Sequence, residues 1–193
     1  IRALEVNPET VETHIAIGKL FCQRGDVERA IKVHQNLLAR PNLTRQQADR
    51  VQLELARDYL VVGMLNRAER LLEELVEAES SLRADALVDL VKVHEREHEW
   101  EHAIAVGSKL VAERPAFAVT LAHYHCERAA GLLQHNDHSG ARKHLNSALE
   151  ADAACIRAML MLSDLDLNQG HARAAQRWLE RLAEKDADFV PEA

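Results

Sequence analysis

The residues best placed to do chemistry are His94-Glu95-Arg96-Glu97-His98, an H-E-x-x-H string. On one helix, two histidines four apart can both bind zinc, and the glutamate between them can act as general base in a hydrolysis. The surroundings argue otherwise. His94 falls at a core-type position late in a helix, and His98 falls in the turn that ends it. No third ligand follows in a supporting pattern, and both flanks are crowded with charge. A zinc hydrolase using His94, Glu95 and His98 is therefore the weaker alternative. His123, His125 and Cys126 also lie close together, but residues two apart on a helix point to different faces. Only His123 and Cys126 share a face, and a pair without further ligands reads as ordinary packing. His135, His138 and His144 straddle a turn and read as surface residues. Cys22, Cys126 and Cys155 are too scattered for a disulfide framework or a C-x-x-C site and read as buried thiols. The chain has no G-x-x-x-x-G-K-S/T loop, so nucleotide binding of that kind is unsupported. No cofactor is expected.

What must position these residues is a helical repeat. An alanine recurs at Ala30, Ala68, Ala103, Ala141 and Ala175, each opening the apolar stripe of a second helix after a turn. Gly25, Gly63 and Gly170 precede three of them by five residues; the third turn lacks glycine. The pattern predicts ten helices, over about 9–24, 27–39, 44–62, 65–77, 82–97, 100–113, 116–135, 139–150, 154–169 and 172–184. Asp26 is placed to cap the second helix, and Thr44-x-x-Gln47 forms a capping box before the third. A period near 34 residues of helix, turn and helix is the tetratricopeptide signature. The expected fold is an all-α solenoid of about five such units, 9–40, 44–78, 82–114, 116–151 and 154–185, in a single array over 1–193. Aligned on the alanines, the small first-helix position reads Gly18, Ala56, Val91, Ala129 and Ser163. The position three later reads Phe21, Tyr59, His94, Leu132 and Asp166. Trp100 and Trp178, in second helices, read as inter-repeat packing.

Composition narrows the function. The net charge of −7 argues against a general nucleic-acid binder, and aromatics at 4% leave no base-stacking platform. No run of about 18–20 apolar residues could span a membrane. Stacked repeats instead make an extended binding surface. In the alanine register Lys19, Arg57 and Lys92 share one groove-facing position, with Arg50 seven residues before Arg57. Ile15, Leu53 and Val88 lie four before the three cations. The expectation is an apolar floor with a basic stripe that receives an acidic or carboxylate-bearing partner segment. Lys and Asn are missing from the positions that would clamp a chaperone tail, where Ile15 and Ala16 stand.

The run Val11 to Phe21, the string Arg24-Gly-Asp-Val-Glu-Arg-Ala-Ile-Lys-Val-His-Gln, Leu55-Ala-Arg-Asp-Tyr, Gly63-Met-Leu-Asn-Arg-Ala-Glu and Ala122-His-Tyr-His-Cys-Glu together resemble the lipopolysaccharide assembly protein B family. The resemblance runs along essentially the whole chain. It implies an inner-membrane protein of Gram-negative bacteria with an N-terminal membrane helix, a cytoplasmic tetratricopeptide array and a C-terminal zinc module with paired C-x-x-C motifs. It implies a non-enzymatic adaptor that regulates lipopolysaccharide synthesis by bringing the lipid A deacetylase to the membrane protease FtsH. This chain contains neither the membrane helix nor the C-x-x-C pairs, so zinc binding by that module does not carry over. A generic tetratricopeptide scaffold for another bacterial assembly is the alternative. Beginning at Ile1 without methionine, the chain reads as a fragment of a longer protein. Ile1, Leu4, Val6, Phe189 and Val190 at its ends are expected to favour self-association.

Overall fold

The computed structural model describes residues 8–187, with side chains from 10 to 184. Every regular element among the described residues is helical. The first five helices are α1 (Pro8–Gln23), α2 (Val27–Leu38), α3 (Arg45–Val61), α4 (Leu65–Glu77) and α5 (Arg83–Glu97). The second five are α6 (Trp100–Glu113), α7 (Ala118–Gln134), α8 (His138–Ala151), α9 (Ile156–Asn168) and α10 (Ala172–Ala187). The chain divides into two compact units at His98–Glu99. The expected third repeat, 82–114, thus contributes α5 to the first unit and α6 to the second.

Local signals in the sequence set these bounds. Asp26 caps α2 by accepting the Arg29 N–H, and Thr44 and Gln47 form the reciprocal capping box at α3. Asp137 caps α8 through the Gly140 N–H at 2.8 Å. Two starts differ from expectation. Pro115–Phe117 forms a short 3-10 turn, so α7 begins at Ala118 rather than 116. The Asp152 carboxylate accepts the Ala154 N–H at 2.8 Å, which holds that stretch in a turn and delays α9 to Ile156.

In the first unit, each helix packs on the next, and α1 also packs on α3 and α3 on α5. The first helices of the repeats therefore stand side by side, with α2 and α4 behind them. In the second unit α7 packs on both α8 and α9, and α9 on α10. The alanines explain the close approach. Ala30, Ala68, Ala103 and Ala141 are completely buried, and Ala175 nearly so. The aligned positions Gly18, Ala56, Val91, Ala129 and Ser163 are buried in every repeat. Leu37, Leu72, Leu75, Leu110 and Leu145 fill the space behind them, each burial contributing about 1.5–3 kcal/mol. The end residues Ile1, Leu4, Val6, Phe189 and Val190 lie outside the described residues.

Candidate functional site

Five of the expected groove residues meet in the first unit as part of the lining of one cleft of about 180 Å3. Ile15 and Lys19 come from α1; Arg50, Leu53 and Arg57 come from α3, joined by Glu54, Leu82 and Asp85. Ile15 and Leu53 are core residues, only 5% and 3% exposed, so they form the floor and not a contact surface. Val88 is half-buried on α5, and Lys92, one turn further on, is exposed. Neither lines this cleft.

The cations are not a bare basic stripe. Lys19 Nζ lies 2.9 Å from Glu54 Oε1, and Arg57 Nη1 lies 3.0 Å from the same oxygen. Arg57 Nε donates to Asp89 Oδ2 at 2.7 Å, and Lys92 Nζ donates to Asp89 Oδ1 at 2.6 Å. Arg50 pairs with Glu12. Lys19–Glu54–Arg57–Asp89–Lys92 is thus a ladder of alternating charge that crosses α1, α3 and α5. Four cations here (Lys19, Arg50, Arg57, Lys92) face four carboxylates (Glu12, Glu54, Asp85, Asp89), so the surface is balanced rather than net basic. The sequence alignment found the cations because they share one register position. Glu54 and Asp89 lie three residues before Arg57 and Lys92, on the adjoining stripe, and were missed. Burial opposes the charge on Arg57, but Asp89 and Glu54 outweigh it and hold the guanidinium more firmly protonated than usual. Lys19, Arg50 and Lys92 keep about half of each side chain exposed (49%, 47% and 53%) and retain donor capacity toward solvent.

The H-E-x-x-H residues separate. His94 is buried on α5, with Nε2 3.9 Å from Glu69 Oε1. His98 lies past the helix end with φ +58°, and Glu95 is exposed. The two rings do not share a helix face. His123 is exposed while Cys126 is fully buried, so that pair separates too. Cys126 Sγ instead lies 3.9 Å from Cys155 Sγ in the core, where burial and the second thiol push its pKa up to about 12. Cys22 is half-buried rather than buried; burial, then the Asp58 carboxylate, raises its thiol. His144 is not a surface residue: it is half-buried with Nδ1 3.1 Å from His125 Nδ1. Burial, then the neighbouring ring, lowers His125 to about 4, and burial lowers His144 as well. Trp100 stacks on Tyr124 with centroids 5.9 Å apart, joining α6 to α7. Trp178 packs inside its own repeat, its indole N–H donating to Asp166 of α9 at 3.0 Å.

The first helices of this unit thus present charged side chains over a sealed apolar floor. Two tetratricopeptide repeat models match the sequence, over residues 53–116 and 132–193. The chain belongs to the tetratricopeptide repeat family. It is 32% identical over 190 residues to lipopolysaccharide assembly protein B of Escherichia coli K12, covering 98% of this chain and 49% of the relative. It is 34% identical over 182 residues to lipopolysaccharide assembly protein B of Haemophilus influenzae, covering 94% and 46%. The resemblance seen in the sequence strings is therefore shared along nearly the whole chain, which spans about half the length of the curated relatives it matches. Among solved structures, a crystal structure of MamA protein matches with a TM-score of 0.59 at 20% identity, over 96% of this chain and 98% of that one. A MamA fragment from Desulfovibrio magneticus RS-1 matches with a TM-score of 0.58 at 12% identity, over 96% and 100%. At those identities the likeness concerns the repeat fold alone. The repeats and the relatives point to protein–protein interaction. No helix among the described residues is long and apolar enough to cross a membrane.

Proposed function

We propose that this array is the protein-binding part of a non-enzymatic adaptor in the regulation of lipopolysaccharide assembly. It works on the cytoplasmic face of the bacterial inner membrane and presents the lipid A deacetylase to the protease FtsH. The observation that carries the reading is the match to lipopolysaccharide assembly protein B along 98% of this chain. The charged ladder supports a docking role for α1, α3 and α5. A carboxylate-bearing segment laid across it takes the outward donors of Lys19, Arg50 and Lys92 while Glu54, Glu12 and Asp89, respectively, keep those side chains extended. Because the ladder is balanced, it selects position more than it attracts at long range, and the salt dependence of binding should be modest.

The test is titration of the protein against purified lipid A deacetylase, and separately against the cytoplasmic part of FtsH, at two salt concentrations. Binding to either that falls at least about tenfold when Lys19, Arg57 and Lys92 are reversed to Glu supports both the adaptor reading and the groove. Binding unaffected by the reversals removes the groove and keeps the adaptor. Absence of binding to both, in this chain and in one extended at both ends, leaves a repeat scaffold serving another bacterial assembly.

A further inference from the structure

His125 on α7 and His144 on α8 face each other across the hairpin of the fourth repeat. Their Nδ1 atoms are 3.1 Å apart, and their ring centroids are 5.4 Å apart at an interplanar angle of 39°. Two ring nitrogens this close cannot both carry hydrogen. One Nδ1 donates and the other accepts, so a single proton lies between two lone pairs aimed at one point. That arrangement is also the bite of a chelate. Two imidazole nitrogens on a tetrahedral zinc, each at about 2.0–2.1 Å, stand about 3.3 Å apart. Both rings are half-buried, so their positions are held by the helices that carry them while solvent still reaches the edge of the site.

We propose that His125 and His144 form a chelating site for a divalent transition-metal ion, zinc or copper(II), with water in the remaining positions. The ion displaces the shared proton and sits to one side of the line between the nitrogens, so the rings part slightly and tilt their lone pairs toward it. Imidazole pairs suit zinc and copper and not magnesium or calcium, which demand oxygen ligands. The charges that reach His144 are mixed. Glu101 of α6 favours a cation there, whereas Arg128 of α7 and Lys143 of α8 oppose it. Arg128 is itself held on Glu101, with Nη2 and Nε at 2.6 and 3.0 Å from the same carboxylate oxygen. Two protein ligands in that field make a site of moderate affinity, loaded by the free ion rather than trapped during folding. Bound metal would clip α7 to α8 and stabilise the second unit by mass action. The pair is not legible in the sequence, because its members are 19 residues apart on two helices and only the packing of α7 on α8 brings them together.

The experiment is calorimetric titration of the untagged, chelator-treated protein with zinc chloride and, separately, copper(II) chloride. His125→Ala, His144→Gln and the control His123→Ala are run alongside, and circular dichroism verifies the fold of each. The expected result is one equivalent that binds at least about tenfold more weakly in His125→Ala and in His144→Gln but unchanged in His123→Ala. The nitrogen hyperfine pattern of the copper(II) complex should fall from two imidazoles to one in either pair variant. Equal affinity in all four proteins would overturn the site and assign the binding to exposed histidines. So would no binding to wild type below millimolar metal.

Discussion

Gly18 of α1 lacks a side chain where the His34 ring of α2 lies: a Cβ at Gly18 would overlap that ring, coming within 2.5 Å of Cε1. His34 is fully buried and its Nδ1 pairs with Asp58 Oδ2 at 2.6 Å, joining α2 to α3. Its Nε2, which faces Gly18, has no hydrogen-bond partner. The neutral Nδ1–H tautomer fits, since it leaves Nε2 as a bare lone pair and not a buried orphan N–H. Gly18→Ala should cost about 1–3 kcal/mol in urea unfolding by overpacking. His34→Leu, which installs the residue type found at the equivalent Leu72 and Leu145, should be worse, about 3 kcal/mol, because it takes the imidazole away from the buried Asp58 carboxylate and leaves it the weak Cys22 thiol donor. A His34→Leu protein as stable as wild type would mean that Asp58 is satisfied without the imidazole.

All five residues that precede the landmark alanines by five have positive φ: Gly25 (82°), Gly63 (76°), His98 (58°), Asn136 (60°) and Gly170 (79°). The turn is thus one left-handed device repeated, and His98 occupies a glycine slot. A Cβ at Gly63 would meet nothing within 4 Å, so any cost there is backbone strain alone. Gly63→Ala should lose about 1–2 kcal/mol, and His98→Gly should be neutral or gain up to about 1 kcal/mol. Thermal melts of the two variants moving in the same direction would contradict this account.

Ala30 to Ala175 and Gly25, Gly63 and Gly170 made the repeats legible, because close helix approach admits only small side chains and the turn favours glycine. The helix starts that failed, at Ala118 and Ile156, depend on one proline and on one Asp152 side-chain bond, which periodicity does not register. The groove cations were legible as a shared register position, whereas their pairing was not. Asp89 reaches Arg57 across 32 residues of sequence, and only the packing of α3 on α5 brings them together. His144 was misread for the same reason, since its partner is on the preceding helix.

Within the ladder the two cations on Asp89 are not equivalent. Arg57 bridges two carboxylates with its side chain 38% exposed, whereas Lys92 touches Asp89 alone at 53%. Lys92→Ala should change stability by less than about 0.5 kcal/mol, because Arg57 still holds the buried Asp89. Arg57→Ala should cost more, and a double-mutant cycle between Arg57 and Asp89 should give a coupling of about 1 kcal/mol. A coupling indistinguishable from zero would reduce the ladder to independent surface charges.

Asp166 sets an acid limit on the second unit. Burial alone would raise its carboxyl, but the Arg142 guanidinium at 2.6 Å, the Trp178 indole N–H at 3.0 Å and the charge of His171 lower it further than burial raises it. With the folded pKa below the unfolded value of about 3.9, the contribution is complete above that value and is lost as pH falls through the folded pKa. Trp178 fluorescence reports the transition, because the carboxylate is hydrogen-bonded to its indole. Asp166→Asn should lower stability at pH 7 by about 1–3 kcal/mol and flatten the loss of stability below about pH 4. Wild type and variant losing stability in parallel over that range would show that other carboxylates govern acid unfolding.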